Sequence, residues 1–339
     1  MGTHTGIQWT NIIPDSAGAT WNPIRATNLQ TGTHGYICTK VSPGCDHCYA
    51  SAINKSTGNG LEYPKIEDRH SLDGKVHVFV SKENQSSMDW PLRARRSQGI
   101  FPVSMSDWLG EFVKTETAAW LLATMLLGQH HIFLPLTKRV KHMRNLIESF
   151  TSPTVLGIQV PDTKTYDIAI IRARGIQKDM DWWGRQALKI FNNKYEAMLP
   201  WAPSNIIFGV SICTSQEAIA YLKLLREIRK VLPTIRLWVS QEPALDTIDW
   251  IGAGYRQGDF DWLVWGGESG YNARPATVES ARMAADSAEA MSIPVFIKQF
   301  GTVLGLEMDL DWKGENIPDD NPYYVRQFPS IEHSYVPWR

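Results

Sequence analysis

Short apolar runs alternate with longer amphipathic stretches along the chain from residue 100 onward. Apolar runs of about four to eight residues predict buried strands, and apolar positions that recur at about every third and fourth residue predict helices. Strands that alternate with helices are typical of a parallel α/β protein. The predicted strands are residues 100–105, 131–136, 206–212, 236–239, 262–265 and 294–297. The predicted helices are residues 115–127, 140–150, 184–197, 215–231 and 277–291.

Two regions depart from this alternation. Residues 51–99 are rich in Gly, Ser, Asn and Lys, with one alternating segment at 76–80 that predicts a short strand or hairpin arm. Residues 151–203 contain several prolines and an acidic, aromatic stretch, which favours an insertion. We therefore expect a single α/β domain over residues 1–339 that carries both regions as insertions.

Polar side chains follow almost every predicted strand. The carboxyl ends of parallel strands meet on one face of an α/β protein, and active sites are built there. A single strand that ends in a polar loop is ordinary, but six such ends together predict a lined site. The side chains are Ser104, Ser106 and Asp107, then Lys138 and Arg139, Ser211, Ser240 to Glu242, Gly266 to Gly270, and Lys298 with Gln299.

The composition excludes a disordered or fibrous protein, since 43% of the 339 residues are hydrophobic and 20% are charged. With 34 Lys and Arg against 35 Asp and Glu, the net charge is −1, so any preference for an anionic partner must be local. The longest apolar run, residues 118–127, has about half of the roughly 20 residues that a bilayer span needs. Residues 1–10 lack the pattern of a secretory signal. We expect a soluble, cytoplasmic protein.

The cysteines carry the first chemical signal. Cys38, Cys45 and Cys48 form a C-x6-C-x2-C pattern in a loop broken by Pro and Gly, whereas Cys213 lies far along the chain. Such spacing predicts a metal or cluster site. Structural zinc takes four protein ligands, so it would need a distant fourth ligand such as Cys213 or a histidine. Three thiolates suit a [4Fe–4S] cluster with one iron open to an outside ligand, and three unliganded thiols are the remaining interpretation.

The loop resembles the radical S-adenosylmethionine (SAM) signature, C-x3-C-x-aromatic-C. Its C-x2-C half is present, with His47 at the aromatic position that contacts adenine, whereas the first gap has six residues rather than three. The resemblance implies that SAM chelates the open iron and is cleaved reductively to a 5′-deoxyadenosyl radical, which abstracts hydrogen from an organic substrate. The cofactors carry that step, and the protein positions them and excludes water.

A closer resemblance covers residues 7–301 and is carried by short motifs in a fixed order. The chain resembles a phage-encoded three-cysteine family of unknown function that is regarded as radical-SAM-like. Residues 151–203 and 302–339 lie outside these motifs, so we expect the latter to be a C-terminal extension. The motifs are Trp21-Asn-Pro23, Cys38 to Ala50, Ser104-Met-Ser-Asp107, Leu136-Thr-Lys-Arg139, Gln241-Glu-Pro243, Gly266-Gly-Glu-Ser-Gly270, Ala273-Arg-Pro275 and Lys298-Gln299.

The resemblance implies a partial or near-complete (β/α) TIM-like barrel in the host cytoplasm, with the cluster loop after a first strand near residues 19–22. It implies a [4Fe–4S] cluster on Cys38, Cys45 and Cys48, SAM, and a flavodoxin- or ferredoxin-type reductant. The residues expected to contact the cofactor are His47, Tyr49, Ser104, Ser106, Asp107, Lys138, Arg139, Gly266, Gly267 and Glu268. The residues expected to contact substrate are Glu242, Arg274 and Lys298.

Several of these residues have competing roles. Asp107 and its neighbouring hydroxyls can replace the usual motif that holds the methionine amine. Lys138 and Arg139 can bind the SAM carboxylate or a substrate phosphate. Glu268 can bind a ribose, a polar substrate or Arg274. For Glu242 and Lys298 the alternative is a buried ion pair. For Cys213 the alternatives are a core thiol, a hydrogen-atom donor or a fourth ligand.

Two basic segments suggest the substrate. Residues 93–96 and 138–144 suit a phosphate backbone, although salt bridges on a solvated surface are the ordinary interpretation. With the phage resemblance they favour a nucleobase in DNA or a nucleotide as substrate. The alternatives are a zinc-stabilised nucleic-acid-binding protein without catalysis, and an iron–sulfur repair lyase or electron carrier.

Overall fold

Strands and helices alternate through most of the computed structural model, which describes residues 5–82, 86–151, 154–155, 158–159, 203–322 and 324–330. The predicted helix at 184–197 and most of the predicted insertion at 151–203 lie outside these ranges. The strands are β1 (Ala19–Trp21), β2 (Ile24–Asn28), β3 (His34–Gly35), β4 (Val76–Val80), β5 (Gly99–Pro102), β6 (Ile132–Phe133), β7 (Leu136–Thr137), β8 (Thr154–Val155), β9 (Ile158–Gln159), β10 (Ile207–Ser211), β11 (Arg236–Gln241), β12 (Trp262–Gly266) and β13 (Val295–Gln299). The helices are α1 (Tyr49–Thr57), α2 (Trp90–Arg93), α3 (Thr115–Leu127), α4 (Val140–Thr151), α5 (Ser215–Val231), α6 (Val278–Ala290) and α7 (Gly301–Glu307).

The central strands are parallel and follow one another in space as they do in sequence. One sheet has the order β1-β5-β6, and the next has the order β7-β10-β11-β12-β13. A parallel bridge between Phe133 and Ile206 joins the two sheets. Pro135 separates β6 from β7 because it has no N–H for the ladder, yet its carbonyl accepts from Gly209 N at 2.7 Å. The predicted parallel α/β class is confirmed.

Apolar side chains cover both faces of the parallel strands. On one face Trp9, Phe101, Trp238, Trp262 and Phe296 belong to a single buried cluster that takes residues from β5 to β13. The opposite face of the same strands belongs to a second cluster, which packs against the helices. Strands buried on both faces read as continuous apolar runs, which is why the sequence shows runs rather than alternation here.

The parallel sheet curves around the Trp9 ring. The ring centroid lies 4.9 Å from that of Phe101 on β5 and 4.8 Å from that of Trp238 on β11. Neighbouring strands lie about 4.8 Å apart, so β5 and β11 would be separated by roughly 14 Å in a flat sheet. One indole can contact both rings only because the sheet curls toward it. Among the described residues, β1 and β13 are not paired with each other.

Four of the described helices lie where the sequence predicts helices, whereas α1, α2 and α7 are not predicted. The predicted helices at 115–127 and 215–231 coincide with α3 and α5. Thr214 caps α5 through a capping box with Glu217, which satisfies two backbone N–H groups at the first turn. Thr277, predicted as the first residue of a helix, is the N-cap of α6, and its hydroxyl accepts from Ser280 N.

A small antiparallel sheet with the order β3-β2-β4 stands apart from the parallel strands. The strand predicted at residues 76–80 is β4, and it pairs with β2 along its whole length. The strand predicted near residues 19–22 is β1, but β2 and β3 separate it from the cysteine loop. The cysteine loop does come after this first strand, with the β2-β3 hairpin inserted between them. The segment 51–99 supplies one edge strand of this sheet.

No helix in the described ranges combines the length and the apolar character that a bilayer crossing requires.

Substitution of Gly209 tests the packing of the sheet face that carries the Trp9 and Trp238 cluster. A Cβ at Gly209 on β10 would collide with the Trp238 ring, which is itself fully buried. We expect Gly209→Ala to lower the free energy of unfolding by about 1–3 kcal/mol, the usual cost of overpacking a core. Urea unfolding monitored by tryptophan fluorescence measures it. Gly6→Ala is the control because nothing lies within 4 Å of a Cβ there, and equal stability of the two variants would contradict the packing.

Candidate functional site

The cysteine loop lies between β3 and α1. Residues Pro43–Cys45 form a single 3-10 turn, whose N-cap Ser42 accepts from Gly44 N at 3.1 Å. Cys48 N then donates to Cys45 O at 3.3 Å, and Cys48 is the N-cap of α1. Cys45 is buried, and Cys38 and Cys48 are half-buried. Two tight turns therefore bring Cys45 and Cys48 to the start of one helix.

The three thiols influence one another electrostatically. Burial raises the pKa of Cys38, nearby Arg139 partly opposes this, and Asp107, Cys48 and Cys45 raise it further. Burial likewise raises the pKa of Cys48, to which Cys45 contributes. Cys38 and Cys48 are thus protonated at neutral pH in the absence of a metal. Metal binding at this loop must release protons, which makes the affinity depend on pH.

Arg139 ties the first part of the loop to the strand ends. Its guanidinium donates to the Thr39 carbonyl at 3.1 Å, to Asp107 Oδ2 at 3.1 Å and to Glu111 Oε2 at 3.0 Å. Asp107 also accepts from Thr137 Oγ1 at 2.8 Å and from Lys138 N at 3.0 Å. Arg139 and Asp107 are both buried. Their hydrogen-bonding groups are occupied by the protein, so they position Thr39, the neighbour of Cys38.

Arg274 ties down the second part of the loop. It forms a bidentate pair with Glu268, with distances of 2.6 Å to Oε1 and 2.9 Å to Oε2, and donates to Pro43 O at 2.9 Å. His47 Nδ1 lies 3.1 Å from Glu268 Oε2. Since an ionised carboxylate only accepts, Nδ1 carries the proton. Burial would raise the pKa of Glu268, but hydrogen bonds from Arg274 and His47 lower it below its ordinary value.

Lys138 and Cys213 pack directly beneath the cysteine loop at Gly44. Lys138 Nζ donates to Ser211 Oγ at 2.6 Å and to Cys213 Sγ at 3.0 Å. A Cβ on Gly44 would collide with Cys213 Sγ and would lie 3.0 Å from Lys138 Nζ, so only glycine allows the loop to sit this close. Burial alone would lower the pKa of Lys138, but Cys213, Cys45 and Glu217 raise it. Lys138 therefore stays protonated and places a positive charge beneath the cysteine loop.

Asn54 closes the loop from the side of α1. Its Oδ1 accepts from Tyr36 N at 2.7 Å, and its Nδ2 donates to Asn59 Oδ1 at 2.7 Å. Asn59 Nδ2 donates in turn to Tyr36 O at 2.9 Å. Tyr36 precedes Cys38 and Asn54 follows Cys48, so these amides join the two ends of the loop. Nothing in the sequence pattern singled out Asn54, since an asparagine on a helix is ordinary.

Glu242 and Lys298 form an ion pair at the ends of β11 and β13. Glu242 Oε1 lies 2.8 Å from Lys298 Nζ, and Glu242 Oε2 accepts from Trp9 Nε1 at 3.1 Å. The pair crosses β12 at Gly266, where a Cβ would lie 2.9 Å from Glu242 Oε1. The exposed fractions of the Glu242 and Lys298 side chains are 16% and 18%, so both reach the surface of the site. The ion pair of the buried-pair alternative is therefore present, but the two side chains are half-buried rather than buried.

The remaining expected residues make contacts within the protein. Tyr49 is half-exposed, and its hydroxyl donates to Ser104 O at 2.9 Å. The Ser104 hydroxyl contacts Asn22 Nδ2 at 3.0 Å, and Ser106 Oγ donates to Ile37 O. At Gly267 the backbone passes so close to Phe300 O that a Cβ would collide with it. These contacts fix the loops that surround the cysteines.

The two basic segments lie at opposite ends of the parallel strands. Residues 93–96 precede the amino end of β5, and residues 138–144 follow the carboxyl end of β7. Arg93 pairs with Asp89 at 3.0 Å, and Arg144 pairs with Glu148 at 2.7 Å. The segments cannot form one continuous phosphate-binding surface.

The structure brings the predicted residues from β7, β11, β12 and β13 to the strand ends around the cysteine loop. It also brings Cys213 there, more than a hundred residues from the loop in sequence. Within the described residues, no three His, Cys, Asp or Glu side chains are grouped in a way that suits a single metal ion.

Loss of the Arg139 guanidinium tests the hold on the loop. We expect Arg139→Gln to lower the free energy of unfolding by about 3–5 kcal/mol, because it leaves the buried Asp107 carboxylate unpaired. Urea unfolding of the wild type and the variant measures the difference. Arg282→Gln removes an exposed pair with Glu279 and should cost at most about 1 kcal/mol. An Arg139 variant as stable as the Arg282 variant would show that the network does not hold the fold.

Comparison with protein families places this site in a known group. Residues 4–315 match a family model described as "Protein of unknown function (DUF5131)". No curated protein matches the chain, and no solved structure matches it. Because the family match covers most of the chain and every site residue above, the chain belongs to the DUF5131 family of proteins of unknown function.

Proposed function

We propose that this protein is a radical SAM enzyme that cleaves SAM to a 5′-deoxyadenosyl radical and modifies an organic substrate. The observation that carries the proposal is the restraint of one three-cysteine loop by two arginine–carboxylate groups from separate strand ends. Arg139 pairs with Asp107 and Glu111, and Arg274 pairs with Glu268. Such restraint limits how far the three thiols of the loop can move when they take up a shared ligand.

The donor set fits an iron–sulfur cluster. Cys38, Cys45 and Cys48 offer thiolates, the usual ligands of [4Fe–4S] clusters, and they come from one loop. When bound, the cluster and SAM supply the electron transfer and the bond cleavage. A flavodoxin- or ferredoxin-type protein is the proposed electron donor. The fold proposed with this function is a partial (β/α) barrel, supported by the sequential order of the parallel strands and by their curvature around Trp9.

In this proposal the residues around the loop divide their roles. Arg139, Asp107 and Arg274 position the loop, since their polar atoms are already occupied. Lys138 offsets the negative charge of the thiolates from below. Half-exposed His47 and Tyr49, with Ser104, remain the candidates for cofactor contacts, and the Glu242–Lys298 pair remains the candidate for substrate contact. The buried Glu268 holds His47 in a single tautomer and orientation.

A structural zinc site is the second candidate, and the position of Cys213 favours it. Cys213 Sγ contacts Gly44 of the cysteine loop, so a fourth thiol is within reach of the loop. Against this, Cys213 is fully buried and its sulfur already accepts from the Lys138 ammonium at 3.0 Å. A cation next to the sulfur opposes binding of Zn²⁺ there, whereas it stabilises a centre with excess thiolate charge.

Cysteine substitutions separate the two candidates. We expect Cys45→Ala to lose iron and dithionite-driven formation of 5′-deoxyadenosine from SAM, while circular dichroism stays that of the folded wild type. Cys213→Ser, the matched control, should retain about four irons per chain in anaerobic preparations, since three thiolates hold the cluster. Loss of metal from both variants, with zinc in the wild type, would contradict the proposal.

Removal of the Lys138 charge tests its electrostatic role. We expect Lys138→Met to retain iron but to lower the reduction potential of the centre, because a nearby positive charge favours the reduced form. Lys141→Met, which removes an exposed charge from α4, should leave the potential near that of the wild type. Spectroelectrochemical titration of the anaerobic proteins measures both. An unchanged potential in the Lys138 variant would show that its ammonium does not act on the centre.

A further inference from the structure

The small sheet β3-β2-β4 has one inward and one outward face. Along β2, Ile24, Ala26 and Asn28 are buried, whereas Arg25 and Thr27 between them are only half-buried. Successive side chains of a strand point to opposite faces, so Arg25 and Thr27 share the outward face. The partial exposure of Arg25 and Thr27 shows that this face is in contact with solvent.

Pairing places aromatic rings beside these two residues. Arg25 stands opposite Phe79 of β4, and Thr27 stands between His77 of β4 and His34 of β3. The His77 and Phe79 rings are nearly parallel, with centroids 6.2 Å apart, and the His34 ring meets Phe79 edge-on at 5.8 Å. Both histidines are exposed. Three rings thus form a connected surface in contact with solvent.

A fourth ring extends this surface toward the cysteines. The Arg25 guanidinium lies 4.2 Å from the centroid of the Tyr36 ring and donates to the Tyr36 hydroxyl at 2.7 Å. Tyr36 precedes Cys38 by two residues, which span about 7 Å of extended chain. The backbone of Tyr36 is held by Asn54 and Asn59. The surface therefore ends at the first cysteine of the candidate site.

The charge of the outward face is positive or neutral. Its strand positions are occupied by Arg25, Thr27, His34, His77 and Phe79, and none of these described positions carries a carboxylate. Aromatic rings that stack on unpaired bases, together with cations that meet phosphates, are the two features of sheet surfaces that bind single-stranded nucleic acid. The basic segments at residues 93–96 and 138–144 do not combine them.

We propose that the outward face of β3-β2-β4 binds single-stranded nucleic acid by base stacking on Phe79 and Tyr36, with Arg25 contacting the phosphate backbone. As a statement about the substrate of the cysteine site, this rests on the proposed radical SAM function. An unpaired base stacked on Tyr36 would lie close to Cys38, because Cys38 is only two residues further along the chain. A duplex does not fit, because its bases are stacked on one another and expose no ring face to the sheet.

Fluorescence anisotropy with labelled 12-nucleotide strands tests the proposal. The full chain, purified anaerobically, is titrated into dT12, rU12 and a 12-base-pair duplex at low and moderate salt, without SAM or reductant. We expect saturable binding of a single strand, weaker binding of the duplex and a loss of affinity as salt increases. Tighter binding of dT12 than of rU12, or the reverse, identifies DNA or RNA as the ligand.

Variants locate the binding surface. Phe79→Ala and Arg25→Ala should each weaken single-strand binding, the former by at least about fivefold, since stacking on one ring contributes roughly 1–3 kcal/mol. Phe79→Leu keeps an apolar side chain without the ring and should weaken binding similarly if the alanine variant unfolds. Trp312→Ala and Arg69→Ala remove an exposed ring and an exposed charge outside the sheet, and should stay within about twofold of the wild type.

The outcomes separate this proposal from the enzymatic one. Single-strand binding that is lost in the Phe79 variants supports the surface whether or not the same sample contains iron and cleaves SAM. A sample with iron that does not bind either single strand at low salt overturns the surface but not the radical SAM assignment. Equal binding of duplex and single strand, or binding that is unaffected by Phe79→Ala, Phe79→Leu and Arg25→Ala, also overturns it.

Discussion

The arrangement of the site depends on two arginines that donate to backbone carbonyls of the cysteine loop, each of them paired with carboxylates outside the loop. Ordering a loop costs about 1–2 kcal/mol of conformational free energy per residue, and this loop contributes few apolar side chains to the core. Arg139 restrains it next to Cys38, and Arg274 restrains it at Pro43. Each guanidinium is planar and makes several hydrogen bonds, so it fixes direction as well as distance.

The same contacts determine which polar groups remain available. Asp107 and Arg139 use their hydrogen-bonding groups on each other and on neighbouring protein groups. These two residues, which the sequence suggested as cofactor contacts, therefore position the cysteine loop instead. Lys138 is likewise held by Ser211 and Cys213, so its positive charge acts on the loop rather than on an incoming anion. The Glu242–Lys298 pair keeps some exposure and lies at the carboxyl ends of β11 and β13. The side chains beneath the cysteines are therefore fully engaged within the protein, whereas the Glu242–Lys298 pair stays accessible to a ligand.

The small antiparallel sheet connects a surface of aromatic rings to the cysteine loop. It leads directly into the loop through Tyr36, and its outward rings face solvent. Local charge is the reason that the proposed nucleic-acid surface is this sheet and not one of the basic segments. Arg93 and Arg144 are neutralised by adjacent carboxylates, whereas Arg25 lies against an aromatic ring. A protein with a net charge near zero can still present a local cationic, aromatic surface.

The sequence by itself determined the parallel α/β class, the bounds of α3 and α5, the strand β4 and the clustering of three thiols, because apolar periodicity and local spacing are properties of neighbouring residues. It also indicated that polar strand ends would meet, and offered the Glu242–Lys298 pair as one alternative. Only the tertiary structure decided that a hairpin precedes the cysteine loop, that Cys213 and Lys138 lie beneath Gly44, and that the two basic segments are far apart. These contacts join residues that are distant in the chain. Which of them meet depends on the curvature of the sheet and on the strand order, and the local sequence pattern encodes neither.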